Sequence, residues 1–203
     1  MGMLDGKVAI CTGSGRGVGA EVAKLMAANG AKVLINDPGV GGGGEGGDTT
    51  PAQSIVDQIK AAGGEAVANF GSVTSFEDCL GMVEQARDEL GGCHVVFNPA
   101  GILRDRMFHK MSPEDWTDVI NVHLNGHFNI NRAAINLFRE QEYGRMIMVS
   151  STSGVLGNVG QANYGSAKMG IVALTRIVAM ENANKGITSN VFVSTAPLID
   201  ISG

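Results

Sequence analysis

Tyr164-Gly165-Ser166-Ala167-Lys168 places a phenol and an ammonium four residues apart, hence on one face of a helix. A free tyrosine has a pKa of about 10, too high for a general base near neutrality. A neighbouring ammonium stabilises the phenolate and brings the group toward working range. Alone, this spacing is common and proves little. Ser151 sharpens it, because it lies thirteen residues before Tyr164, at the end of an apolar run and across Gly154, Gly157 and Gly160. A strand-end hydroxyl can donate to a carbonyl oxygen beside the phenol, and open α/β sheets bind ligands at the carboxyl ends of their strands. The chemistry that these three residue types support is proton transfer at an alcohol or carbonyl oxygen.

Near the start of the chain, Thr12-Gly13-Ser14-Gly15-Arg16-Gly17-Val18-Gly19 follows one strand-like run and leads into a helix-like one. Such a turn offers free backbone N–H groups and the positive end of a helix dipole to an anion, and its missing side chains let a pyrophosphate approach. Gly13, Ser14, Arg16, Gly17, Val18 and Gly19 are therefore candidate cofactor contacts. An acid about 20 residues further on is the second half of this pattern, because it accepts hydrogen bonds from the adenosine ribose. Asp37 occupies that place, after Val33-Leu34-Ile35-Asn36. Its carboxylate would repel the 2′-phosphate of NADP and so favours NAD, whereas Arg16 pulls toward NADP. The alternative for Asp37 is a turn-forming Asp before Pro38.

These groups need elements to position them. Residues 7–11, 32–36, 65–70, 94–98, 145–150 and 187–193 read as strands, several of them continuous apolar runs of the kind buried on both faces. Between them, 17–29, 51–62, 76–90, 113–141 and 161–184 read as helices, with Ser112-Pro113-Glu114-Asp115 a good start signal. Strand–helix alternation implies right-handed βαβ units, hence an α/β fold with a doubly wound parallel sheet and helices on both faces. The glycine-rich stretch 39–47 reads as a mobile loop, either a flexible connector or a lid over the cofactor.

A chain of 203 residues is expected to form one domain, 1–203. Its 44% apolar and 17% charged residues are a globular composition. A net charge of −5 without a Lys/Arg cluster argues against a nucleic-acid partner. Cys11, Cys79 and Cys93 are scattered, with no disulfide framework and no metal-binding pair. No run approaches membrane-spanning length and the first residues carry no apolar leader, so a cytoplasmic protein in a reducing compartment is expected. His94, His109 and His127 show no ligand spacing and read as structural or surface residues.

Taken together, the Thr12–Gly19 turn, Asn98-x-Ala100-Gly101, and Ser151 with Tyr164 and Lys168 resemble the short-chain dehydrogenase/reductase family from about residue 7 to 193. The resemblance implies a Rossmann-like fold and hydride exchange between a carbinol carbon and a nicotinamide. Tyr164 would then be the acid/base, Ser151 would hold the substrate oxygen, and Lys168 would lower the Tyr pKa and bind the nicotinamide ribose. Asn98, Ala100, Gly101, Ser72 and Val73 would contact the cofactor. A narrower resemblance, carried by residues 33–37, 66–69, 101–105 and 157–164, is to the (3R)-hydroxyacyl-CoA dehydrogenase branch of peroxisomal multifunctional enzymes and their bacterial relatives. That branch implies NAD and a 3-hydroxyacyl-CoA or bulky hydrophobic alcohol as the small-molecule substrate, and the family implies a homodimer or homotetramer.

Departures from the family pattern are also legible. His123 stands where many members carry a relay-supporting Asn, and reads either as a holder of a relay water or as a buried helix His. Pro99 replaces the second Asn of Asn-Asn-Ala-Gly, and Ser72 stands where an adenine-contacting Asp is common. After Val193 the residues do not follow the family's usual pattern, so a shortened C-terminal part without the substrate-covering segment is expected, with Thr195 a weak cofactor candidate. A catalytically silent nucleotide binder and an NADPH-dependent ketoacyl reductase are the two alternative readings.

Overall fold

The computed structural model describes residues 2–194. Within them the chain runs β1 (Val8–Cys11), α1 (Gly17–Ala28), β2 (Lys32–Asn36), α2 (Thr50–Ala61), β3 (Glu65–Asn69), α3 (Phe76–Leu90) and β4 (Val95–Asn98). It continues through α4 (Pro113–Ile120), α5 (Gly126–Glu140), β5 (Gly144–Ser151), α6 (Thr152–Leu156), α7 (Ala162–Glu181) and β6 (Ile187–Ser194). The described strands lie in the order β3-β2-β1-β4-β5-β6, with every adjacent pair parallel.

Alternation along each strand builds the two sides of the sheet. Val8 and Ile10 face a core shared with Leu34, Val96 and Met146, capped by Met82 and Ala86 of α3 and by Ile130, Ala134 and Phe138 of α5. Ala9 and Cys11 point the other way, with Val33, Ile35 and Phe97, onto Ala20 and Ala23 of α1 and Ile55 and Ile59 of α2. Both faces are buried, which is why the strands read as unbroken apolar runs. The three cysteines are buried in these cores, and burial pushes each thiol up to about 12.

Helix starts follow local chemistry. Ser112 caps α4 by accepting the Asp115 amide at 3.0 Å, while the Asp115 carboxylate accepts the Ser112 amide at 3.3 Å, with Pro113 in the first turn. Ser75 caps α3 through the Asp78 amide at 3.1 Å, and Gly91 ends that helix at φ +90°, a left-handed conformation costly for any side chain.

The long helix expected over 113–141 is broken. A π-helical turn, Asn121–Asn125, separates α4 from α5. One extra residue per turn re-aims the side chains on either side of it, and such turns recur at functional sites. The expected helix over 161–184 is shorter, Ala162–Glu181, while the short α6 and a 3-10 turn at Phe108–Lys110 fall in stretches to which the sequence assigned no element. No helix among the described residues is long and apolar enough to cross a membrane. Thr195 and the chain after it lie outside the described residues.

Phe138 closes the base of the first core. It is fully buried, and a Cβ on Gly144 would come within 2.1 Å of its ring. Truncating Phe138 to Ala is expected to destabilise the fold by about 3–5 kcal/mol, read as a lower urea midpoint at unchanged m-value.

Candidate active site

β1 and β4 are neighbours, yet the chain leaves β1 for α1 on one face and β4 for α5 on the other. The crevice at their carboxyl ends is the ligand position of such sheets. A cleft of about 900 Å³ opens there, lined by Gly13, Arg16, Asp37, Ser72, Val73, Ala100 and Gly101 among others. Its floor requires glycine: Gly13 has φ +52°, and a Cβ there would sit 2.5 Å from the Cα of Ala100. A Cβ on Gly19 would meet the Gly13 carbonyl oxygen at 2.5 Å. The N-cap of α1 is Arg16, which makes no side-chain cap, and no acid occupies the first turn, so the leading amides of α1 are open to an anion.

Seven of the expected cofactor residues, Ser14, Gly17, Val18, Gly19, Asn98, Tyr164 and Lys168, are not among those that line this cleft. Ser14 and Asn98 support its walls from behind. Buried Ser14 donates its hydroxyl to the Cys11 carbonyl at 2.5 Å and its amide to the Asn36 carbonyl at 3.0 Å, pinning the turn between β1 and β2. Asn98 is buried against the Thr12 hydroxyl, which donates to its Oδ1. Asp37 faces the cleft, its Oδ2 accepting the Gly15 amide at 2.9 Å and its Oδ1 the Gly39 amide at 2.8 Å. It therefore serves as a turn residue while standing at the cleft.

The glycine-rich stretch forms one wall of this cleft through Val40 and Gly41 to Gly44, and the Leu103 amide donates to the Gly42 carbonyl at 2.9 Å. The stretch is thus packed against the far margin of the cleft. Open helix amides, a floor that any Cβ would fill and a carboxylate at the end of β2 together fit a dinucleotide.

At the neighbouring strand end, Ser151 closes β5 and caps α6, accepting the Ser153 amide at 3.2 Å. Tyr164 is buried in the first turn of α7, and the Lys168 ammonium lies 5.4 Å from the centre of its ring. Lys168 is also buried and donates to the Val149 carbonyl at 2.8 Å. The Ser150 hydroxyl, donating to the Lys168 carbonyl at 2.8 Å, fastens α7 to β5, and Gly154 makes room, since a Cβ there would lie 2.8 Å from that of Lys168.

Sequence reasoning missed Asn163. Its Nδ2 donates to the carbonyls of Arg104 at 3.0 Å and Asp115 at 2.9 Å, and its Oδ1 accepts the Tyr164 amide at 2.7 Å. It thereby sets where Tyr164 enters the helix. The available signal was an Asn in a first helical turn, where its side chain habitually bonds backbone.

Burial raises the Tyr164 pKa, the Ser151 hydroxyl opposes that rise, and the Asp105 charge adds to it. Burial lowers Lys168 to about 7. Desolvation thus favours the neutral phenol and the neutral amine, while attraction between ammonium and phenolate favours the charged pair. The arrangement can hold a proton at the phenol and exchange it with an oxygen placed between Ser151 and Tyr164.

His123 sits in the π turn, buried, its ring edge-on to Tyr164 with centroids 5.0 Å apart. Its Nε2 lies 2.8 Å from the Ile102 carbonyl oxygen, and Gly101 is obligatory beside it because a Cβ there would fall 2.3 Å from Cε1. Burial and then the Lys168 charge hold its pKa well below the usual histidine range, so the ring is neutral. Its Nδ1 is buried with no hydrogen-bond partner among the described residues.

Two loops meet beside Tyr164. The Arg106 amide donates to the Gly160 carbonyl at 2.8 Å, and Gln161 Nε2 donates to the Asp105 carboxylate at 2.8 Å. Their rim exposes Met107, Phe108, Leu156 and Val159.

The sequence profile of the short chain dehydrogenase family matches residues 7–197. The peroxisomal multifunctional enzyme type 2 of Drosophila melanogaster is 46% identical over 192 residues, which are 95% of this chain and 32% of that protein. The chain thus spans about a third of the fly enzyme's length. The 3-oxoacyl-[acyl-carrier-protein] reductase of Escherichia coli is 36% identical over 188 residues, 93% of this chain and 72% of that protein. Among solved structures, a short chain dehydrogenase from Mycobacterium avium superposes with a TM-score of 0.88 at 44% identity, covering 96% of this chain and 69% of that one. A family profile matched over nearly the whole chain and a relative named as a 3-oxoacyl reductase agree with the site's geometry: the chain belongs to the short-chain dehydrogenase family of oxidoreductases.

Proposed function

We propose that residues 1–203 form a single catalytic unit that oxidises a secondary alcohol with NAD, the alcohol being a 3-hydroxyacyl-CoA or a similarly bulky hydrophobic one. The observation that carries the reading is the Tyr164 phenol, set between the Ser151 hydroxyl and the Lys168 ammonium beside the dinucleotide cleft. Tyr164 takes the hydroxyl proton of the substrate, Ser151 holds the substrate oxygen by hydrogen bonding, and Lys168 stabilises the phenolate. The nicotinamide, when bound, supplies the hydride acceptor. Gly13, Arg16 and the open amides of α1 hold the pyrophosphate, Asp37 the adenosine ribose, and Ser72, Val73, Ala100 and Gly101 the remaining walls.

NAD is supported by the Asp37 carboxylate at the end of β2, which a 2′-phosphate would meet with repulsion. The acyl substrate is supported by the apolar rim of Met107, Phe108, Leu156 and Val159 and by likeness to the multifunctional enzymes. Arg16 in the cleft and likeness to the bacterial 3-oxoacyl reductase favour a second reading, NADPH-dependent reduction of the ketone. α5 and α7 expose Phe128, Met169, Ile177 and Met180, and Phe128 and Ile177 line a groove of about 250 Å³, which supports a homodimer or homotetramer.

The decisive experiment is a titration with NADH and NADPH followed by nicotinamide fluorescence, then turnover of 3-hydroxyacyl-CoA with either oxidised cofactor. Tighter NADH binding with NAD-dependent turnover is expected; turnover with NADP alone would establish the second reading. Tyr164→Phe is expected to lower kcat by about 10²–10⁴-fold and leave NADH affinity nearly unchanged. Asp37→Ala is expected to narrow the preference for NAD over NADP by about tenfold, measured as the ratio of kcat/KM values.

Lys168→Met is expected to abolish turnover and yet to raise Tm by about 2–6 °C, because it removes a buried ammonium. The sign follows from a folded pKa of about 7 against an ordinary 10.5. Between these values the unfolded chain holds more protons, so this lysine's penalty is full below pH 7 and fades as pH rises toward 10.5. Melting curves across that range should show the variant's advantage shrinking in the same interval.

A further inference from the structure

His127, on the first turn of α5, is fully buried and takes no part in the proton transfer described above. Its Nδ1 lies 2.6 Å from the His123 carbonyl oxygen, and its Nε2 accepts the Val149 amide at 3.1 Å. The Val149 amide can only donate and the His123 carbonyl can only accept, and this pair fits the neutral tautomer with hydrogen on Nδ1, while the Asn98 carbonyl also faces the ring. Burial and then the Lys168 charge push its pKa down to about 3, which keeps that tautomer at any working pH.

The two groups it joins belong to different sides of the site. The pairing of β4 with β5 ends at Asn98 and Met148, and the next amide, that of Val149, turns to His127. The carbonyl of the same Val149 accepts the Lys168 ammonium at 2.8 Å, and Ser151 follows two residues later. On the other side, the His123 carbonyl belongs to the π turn, whose imidazole stands against the Tyr164 ring. One ring therefore spans from the π turn to β5, with each of its ends one bond or one contact from a group of the acid/base site.

We propose that His127 is a positioning residue: by tying the amide of Val149 to the π turn, it fixes the residue whose carbonyl, in the following peptide unit, places the Lys168 ammonium against Tyr164. This rests on the reading of Tyr164 and Lys168 as the acid/base pair. The clamp depends on one donor and one acceptor at a fixed distance, which an apolar side chain of similar volume lacks. Without it the Val149 amide is left unpaired, and Val149, which carries the anchor of Lys168, is held only from the β6 side, while the His123 carbonyl keeps the Gly126 amide. The groups that face Tyr164 are Lys168 on its own helix, His123 on the π turn, Ser151 at the end of β5 and Asp105 after β4; burial and Asp105 raise its pKa and Ser151 lowers it.

The test needs no substrate, so it stands apart from the functional reading, which falls separately if Tyr164→Phe retains turnover. The chain has two tyrosines, and Tyr164→Phe identifies the share of Tyr164 in an ultraviolet titration of phenolate absorbance. In His127→Leu the Tyr164 midpoint is expected about one pH unit higher, a tenfold weaker acid. His127→Gln, which keeps a donor and an acceptor, is expected to restore part of the difference. A lowered melting temperature with an unmoved or lowered Tyr164 midpoint overturns the proposal, since a merely structural role would give that result.

A second measurement uses the unaltered protein, should His127→Leu not fold. Nitrogen-15 NMR of the imidazoles is expected to show the His127 hydrogen on Nδ1 and no titration of that ring near neutrality. Hydrogen on Nε2, or a ring that titrates there, overturns it.

Discussion

Neighbouring strands β1 and β4 send the chain to opposite faces of the sheet, and this divergence leaves a gap that no side chain of the sheet fills. The rest of the site is arranged around that gap. The turn after β1 must be glycine because it passes against Ala100 in the segment leaving β4, so both margins of the gap are backbone. Asp37 then reaches across from β2 to tie the same turn, and the glycine-rich stretch after it pairs with Leu103 on the far margin. A crevice walled largely by main chain presents amides and carbonyls at fixed positions, which suits a ligand recognised by its phosphates and ribose hydroxyls.

The proposed acid/base site meets a different difficulty, that of keeping an ammonium inside the protein. Among the described residues Lys168 has one backbone acceptor, the Val149 carbonyl, and burial lowers its proton affinity as far as about 7. Such a group destabilises the fold unless its surroundings hold it rigidly. Ser150, Gly154 and Asn163 supply that rigidity by fastening α7 to β5 and to the loop before α4. The residues that look most structural are thus those that make the chemistry possible, and a loosely packed α7 would lose the pairing of Tyr164 with Lys168 before it lost the helix.

Much of this was legible in the residues. The inner strands β1, β2 and β4 were recognisable because burial on both faces leaves unbroken apolar runs, and β2 begins and ends at the expected residues, 32 and 36. Tyr164, Lys168 and Ser151 were found because their spacing on a helix and at a strand end is itself the geometry. The π turn was not legible: one extra residue between α4 and α5 barely disturbs a 3.6-residue pattern, so 113–141 read as one helix. Ser14 and Asn98 looked like cofactor contacts by their place in the motifs, but their hydrogen bonds run inward to Cys11 and Thr12. Whether a polar side chain in such a turn faces the cleft or the core depends on which backbone group lies behind it, and that is a property of the assembled sheet. The same holds for Asn163, whose partners are 59 and 48 residues away along the chain.

The buried cysteines have a practical corollary. With all three thiols inside the cores and ionising only near pH 12, the folded chain presents almost no thiolate to an electrophile. Alkylation by a maleimide therefore clocks the opening of the sheet itself, with Cys11 reporting the α1 side and Cys79 and Cys93 the α3 side. By the same logic, a single cysteine engineered on the surface would be a unique labelling site without removal of any native one.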